Sequence, residues 1–249
     1  MKRQFYSLGR ASIFLALLLT FSQCKKSAVT ENAPASAKIS KTFVNDATPG
    51  PGGGVLMQAF YWNTPNTSSW WQNVNSKIAA WDAAGISAIW LPPATKGQSG
   101  GSSMGYDPYD YFDFGTYNQM GSVTTRFGNL TDLNTLISNA HSHNIQVYAD
   151  MVLNHCSGGN LEANPYTGTN TYTNFTPLSG MFNRSYSDFH PNNIHASDEG
   201  SFGGFPDLCH AQANVSNWIY NASYSMSRYY KNTMHYDGWR FDYVKGFGA

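Results

Sequence analysis

Arg240 and Asp242 stand two residues apart in the run Gly238-Trp239-Arg240-Phe241-Asp242. In an extended strand that spacing puts both side chains on one face. A guanidinium beside a carboxylate keeps it ionised and fixes its direction, which suits a nucleophile. Taken alone, such a pair is more often solvated or structural. A second group ends an earlier apolar run: Asp150, then Asn154 and His155. A third is His190-x4-His195-x13-Cys209, where imidazole and thiolate together suit zinc and the spacing resembles structural sites. Oxygen ligands for a hard cation are gathered in the same stretch. Asn154, Asp198 and Asp207 offer side chains and Gly200 and Gly246 offer carbonyls. Calcium takes about 6–8 such oxygens in flexible geometry. The plainer readings are that Asp198 and Asp207 are turn residues, and that Cys156 and Cys209 form a disulfide with both histidines at the surface.

The elements that must position these groups alternate. A strand is expected over Val55–Tyr61, a helix over Trp70–Ala84 ending at Gly85, and a buried strand over Ile86–Leu91. A helix capped by Asn129 or Thr131 follows, with Leu133, Leu136, Ile137 and Ala140 on its apolar face. Next come a strand over Ile145–Val152, a long irregular stretch from Asn154 to Cys209, a helix over Asn214–Lys231 and a strand over Tyr236–Tyr243. The alternation means parallel α/β. Asp150, Asn154, His155, Arg240 and Asp242 fall where successive strands finish, and in a barrel those ends converge at one mouth. A glycine-rich phosphate loop does not follow the first strand, so nothing supports a nucleotide site.

Composition narrows the partners. The chain has 249 residues and no formal net charge, with 15 basic and 15 acidic side chains. That balance argues against a nucleic-acid binder, which needs a basic excess. Aromatic residues make up 15% of the chain and charged ones only 12%, which excludes a disordered polyelectrolyte. Flat rings among many uncharged hydrogen-bonding side chains suit a neutral polar ligand such as a sugar.

The first 50 residues read as an address. Lys2, Arg3 and Arg10 precede an apolar run from Ala11 to Phe21, closed by Cys24. The run is shorter than the roughly 20 residues a spanning helix needs and reads as a signal peptide. It resembles a bacterial lipoprotein signal, with Cys24 as the acylated residue, although Gln23 replaces the small residue usual before that cysteine. The expected division is signal 1–24, tether 25–50, first barrel part 51–153, inserted domain 154–210 and barrel continuation 211–249. The protein is expected to be exported, as a cell-envelope lipoprotein or in secreted form, and monomeric.

Four blocks carry a family resemblance. Asp150-Met151-Val152-Leu153-Asn154-His155 and Gly238 through Lys245 resemble two conserved blocks of the α-amylase family of glycoside hydrolases. Gly105 through Gly115 and Phe205-Pro206-Asp207-Leu208 agree in order, and the likeness is greatest to archaeal-type members. The resemblance implies a (β/α)8 TIM barrel with an irregular metal-binding domain inserted after the third strand. It implies retaining hydrolysis of internal α-1,4 bonds in starch or glycogen, with Asp242 as nucleophile and Arg240 beside it. Tyr106 and His155 match groups that hold the sugar at the cleavage point, and Lys245 a contact on the leaving-group side. Calcium would take Asn154, Asp198, Asp207 and the carbonyls of Gly200 and Gly246. Zinc would take His190, His195 and Cys209, with Cys156 or His210 as a fourth ligand.

Retaining glycosidases need a second carboxyl group as acid/base. The family's glutamate lies on the fifth strand, and Glu31, Glu162 and Glu199 do not match it. The sequence ends seven residues after Asp242. The expectation is therefore a barrel truncated after its fourth strand, a fragment inactive as it stands. The alternative is a non-catalytic exported carbohydrate-binding lipoprotein.

Overall fold

The computed structural model describes residues 54–196 and 200–247. The signal and lipidation segment, with Cys24, and the expected calcium ligand Asp198 lie outside the described residues. Four strands, β1 (Leu56–Gln58), β2 (Ala88–Trp90), β3 (Gln146–Val152) and β4 (Gly238–Asp242), form one parallel sheet in the order β1-β2-β3-β4. Sequential order without reversal is the arrangement of a barrel rather than of a doubly wound sheet. Each crossover carries helix: α1 (Trp70–Asn75) and α2 (Ile78–Ala83), then α3 (Leu130–Ser142), then α4 (Ala213–Ser216) and α5 (Met226–Asn232). None of the described helices is long and apolar enough to cross a membrane.

Packing follows the apolar spacing. Leu133, Leu136, Ile137 and Ala140 of α3 are all buried, with Trp71 of α1 and with Ile89 and Val147 of the central strands. Asn129 starts α3 by accepting the Asp132 amide through its side chain at 2.9 Å. Gly85 ends the first helical pair with φ of 88°, a conformation that suits glycine.

Two expected helices are broken. The first divides at Ser76-Lys77, where the Ser76 hydroxyl bonds the Asn73 carbonyl at 2.7 Å. The Ser76 side chain competes there with the helical ladder. The second becomes α4, a π-helical turn over Asn217–Asn221 and, after a break, α5, with Ser225 at the new N-terminus. The stretch expected to be irregular contains an antiparallel hairpin, Asn160–Asn164 with Thr169–Asn174. Its inward side chains are polar: Thr173 donates to Glu162 at 2.6 Å. No apolar alternation announces it.

The aromatic-acidic loop after β2 is held by one cation. Lys96 is fully buried, and its ammonium donates to the carbonyls of Ser122 at 2.8 Å and Val123 at 2.6 Å, with Asp113 at 3.6 Å. Burial lowers the Lys96 pKa, and Asp113 works against that shift. The anchored loop delivers Tyr106 to the end of the sheet.

Candidate active site

Parallel pairing places Arg240 of β4 beside Asp150 of β3. Asp242, two residues on, points the same way. One guanidinium nitrogen, Arg240 Nη1, donates to Asp150 Oδ1 at 3.0 Å and to Asp242 Oδ1 at 2.6 Å. The guanidinium also lies over the Trp90 ring, 4.7 Å from its centroid. Asp150 is the buried hub: its Oδ2 accepts from Tyr106 Oη at 2.7 Å and Trp90 Nε1 at 3.1 Å. The side chain of Asp242 keeps 18% of its surface exposed.

Burial pushes the Asp150 pKa up to about 6, against the opposing pull of the Tyr106 hydroxyl and Arg240. Burial opposes the charge on Arg240, but Asp150 and Asp242 outweigh it and raise its pKa. Tyr106 is held firmly in its neutral form by burial and by Asp150. His155 Nε2 lies 2.9 Å from the Tyr106 carbonyl, which can only accept, so this nitrogen carries the proton. Burial lowers the His155 pKa, which favours the neutral ring.

The expected residues Asp150, Arg240, Asp242, Tyr106 and His155 therefore form one connected group. Lys245 does not join it: its ammonium sits 5.1 Å from the Tyr243 ring centroid, on the exposed turn after β4. Several partners were not singled out from sequence. Trp90 is one, and Phe202 and Phe205, stacked on the His155 ring at 4.8 and 5.3 Å, are others. Trp62, exposed and 5.7 Å from the Tyr106 ring, is a fourth. Trp90 at a strand's last residue was the available signal. The phenylalanines lie in a glycine-rich loop without periodicity.

Two sets of residues bear on metals. Asn154 Oδ1 is buried and accepts no hydrogen bond, while Asn154 Nδ2 donates to the Gly200 carbonyl at 3.0 Å. A Cβ at Gly246 would strike Asn154 Oδ1, and one at Gly200 would strike the Gly246 backbone. Glycine at both places lets these backbones close around an orphaned oxygen, a donor set that fits calcium. Farther along, the ligand atoms of His190, His195 and Cys209 lie within 4.8 Å of one another. His190 Nδ1 pairs with Asp207 Oδ2 at 2.8 Å, the usual outer partner of a ligating imidazole. Neither expected fourth ligand joins them. His210 Nε2 is bonded to the Leu153 carbonyl at 2.9 Å, and Cys156 lies against Tyr111 Oη at 3.6 Å. Cys156 and Cys209 are free and buried, so the alternative disulfide is not formed.

Comparison with known proteins gives the family. The description "Alpha amylase, catalytic domain" matches residues 54–248. The chain belongs to the α-amylase family. It is similar to the glucan 1,4-alpha-maltohexaosidase of Bacillus sp. (strain 707), 38% identical over 119 residues that make up 45% of this chain and 23% of that one. It is also 41% identical over 105 residues to the alpha-amylase of Bacillus licheniformis, across 42% of this chain and 20% of the relative. These matches span about a fifth of the relatives' length. Among solved structures, the α-amylase of Geobacillus thermoleovorans complexed with acarbose aligns with a TM-score of 0.51 at 20% identity, over 78% of this chain and 41% of that one. A cyclomaltodextrin glucanotransferase aligns with a TM-score of 0.54 at 19% identity, over 80% and 46% of the two chains. The fold of this family of glycoside hydrolases is of TIM-barrel type, and the sequential parallel sheet fits it.

The raised Asp150 pKa has a definite consequence for stability. Between the ordinary carboxylate value and about 6 the folded protein holds a proton that the unfolded chain has released. Asp150 therefore makes stability fall as pH rises through that window and adds no further slope above it. Thermal melts of the wild type and Asp150→Asn from pH 4 to 7 should differ in slope below about 6 and run parallel above it. Parallel melts throughout would contradict this account of Asp150.

Proposed function

We propose that this chain carries the nucleophile and the sugar-gripping groups for retaining endo-hydrolysis of α-1,4-glucosidic bonds in starch- or glycogen-type polysaccharides. The observation that carries the reading is the Arg240 Nη1 bridge between buried Asp150 and partly exposed Asp242. In this mechanism Asp242 attacks the anomeric carbon while a general acid, which is not assigned among the described residues, protonates the departing aglycone oxygen, leaving a glycosyl ester on the carboxylate that water then cleaves. Arg240 holds the attacking carboxylate ionised and aimed. Tyr106, with its hydroxyl bonded to Asp150, offers its ring to the sugar, while His155, fully buried and bonded to the Tyr106 carbonyl, holds Tyr106 in place. Lys245, expected at the leaving-group side, stands apart on the turn after β4. Glu162 is spent within the insertion, accepting from Thr173 and from the Tyr186 amide at 2.6 Å each, so the acid/base role is not given to it. The binding-only alternative leaves the Arg240–Asp242 pairing without a purpose.

We assign Asn154, Asp198, Gly200, Asp207 and Gly246 to a calcium ion that ties the insertion to the barrel. His190, His195 and Cys209 are assigned to zinc. A divalent cation would cross-link segments distant in sequence. Export, with Cys24 as a lipid anchor, is the localisation that the N-terminal sequence supports.

A fluorinated α-glucosyl fluoride tests the nucleophile without needing a general acid, because fluoride leaves unprotonated. Mass spectrometry of the protein after incubation should find the label on the peptide bearing Asp242, and Asp242→Asn should take none. A label on another carboxylate would refute the assignment. Elemental analysis of the purified protein should find about one zinc per chain, lost in His190→Ala and Cys209→Ser. Wild-type protein free of zinc would remove that ion from the scheme.

A further inference from the structure

Asp242 is the last residue of β4, and Tyr243 begins the turn that follows. Tyr243 is left-handed, with φ of 49° and ψ of 43°. A bulky side chain makes that conformation unfavourable, and it persists only where the surroundings over-determine it. Left-handed residues occur elsewhere, at Met120 and Asn144 among others, so the angle alone marks nothing. What sets Tyr243 apart is its place beside Asp242 and the contacts that hold it.

Those contacts come from a loop distant in sequence. The Tyr243 hydroxyl donates to the Ser201 carbonyl at 3.2 Å. The Phe202 ring meets the Tyr243 ring edge to face, with centroids 5.0 Å apart and planes at 65°. Gly246 leaves room for the Tyr243 ring, because a Cβ there would strike it. Phe202 reaches this place because the chain reverses tightly behind it. Gly203 and Gly204 have φ of 61° and 77°, and the Phe205 amide donates to the Phe202 carbonyl at 3.0 Å. Phe202 also stacks on the His155 ring at 4.8 Å, and His155 is bonded to the Tyr106 carbonyl. With 37% of its surface exposed, Phe202 is no core-filling side chain. One ring thus touches both the support of Tyr106 and the residue after Asp242.

Given the reading of Asp242 as nucleophile, on which this inference rests, we propose that Phe202 is a positioning residue for Asp242 that acts through Tyr243. By clamping Tyr243 in its left-handed conformation, Phe202 keeps the end of β4 in register, with Asp242 opposite Val152 and its carboxylate on Arg240. Were Tyr243 to relax to a helical or extended conformation, the peptide joining it to Asp242 would turn and the last pair of the strand would open.

The rate constant for labelling by a fluorinated α-glucosyl fluoride, at saturating reagent, reads the aim of Asp242 and does not depend on the fraction of folded chains. Phe202→Leu should lower it roughly tenfold or more, because a small misplacement of a reacting group is costly, and Phe202→Tyr should restore most of it. Glycine adopts the left-handed conformation without a clamp, so Phe202→Leu should cause little further loss in a Tyr243→Gly background. A wild-type rate constant in Phe202→Leu, or the same loss in both backgrounds, would overturn the proposal and leave Phe202 as packing or as a support of His155 alone. A wild type that takes no label would defeat the nucleophile reading and this inference with it. Chemical denaturation of wild type, the two single variants and the double variant checks the clamp without any sugar. The stability lost on Phe202→Leu should shrink in the Tyr243→Gly background, and additive losses would show that Phe202 does not hold Tyr243.

Discussion

One nitrogen, Arg240 Nη1, joins two carboxylates across the β3–β4 pair, and the candidate site is arranged around that bridge. Asp150 is fully buried as a side chain, where desolvation favours its neutral form. The guanidinium, the Tyr106 hydroxyl and the Trp90 indole oppose that tendency. Hydrogen bonds to a charged group contribute about 1.5–3 kcal/mol each, so losing any one of these partners would be felt by the others. The bridge also sets direction. Asp242 can offer an aimed carboxylate only while the guanidinium is held in place by Asp150 and by the Trp90 ring beneath it.

The long segment between β3 and β4 is tied to the same place. Just beyond β3, the Asn154 carbonyl accepts the Leu208 amide at 2.8 Å and the Cys156 amide donates to the Pro206 carbonyl at 3.0 Å. His155 thus lies opposite Asp207. Asp207 in turn orients His190, and Phe205 stacks on His155. His155, which holds the sugar-facing Tyr106, and Asn154, His190 and Asp207, assigned to metals, are therefore neighbours along one short stretch of paired backbone. A disturbance at either is transmitted through two or three hydrogen bonds.

Much of this was legible from residues, for particular reasons. Strands β2 and β3 and helix α3 have apolar periodicity that only a buried face explains, and the pair Arg240-x-Asp242 lies on the one face that parallel pairing turns toward Asp150. The central part that Asp150 plays was less visible, because a carboxylate's partners come from β2, β4 and a loop far away in sequence. The hairpin over residues 160–174 was not readable, since threonine and asparagine pack its inward side. The first broken helix has a local cause: the Ser76 hydroxyl bonds the Asn73 carbonyl, which apolar spacing does not reveal. Lys245 was placed by pattern alone, and the left-handed turn at Tyr243, with φ of 49°, carries its ammonium to the Tyr243 ring.

If Asp150 acts on Asp242 through Arg240, their contributions cannot be independent. The most direct test is a double-mutant cycle on the rate at which a fluorinated α-glucosyl fluoride labels Asp242, comparing Asp150→Ala, Arg240→Ala and the double variant. The account predicts that each single change slows labelling strongly and that the double variant is no slower than Arg240→Ala. Losses that simply multiply would show that the two residues act separately, and would contradict the bridge as the organising interaction.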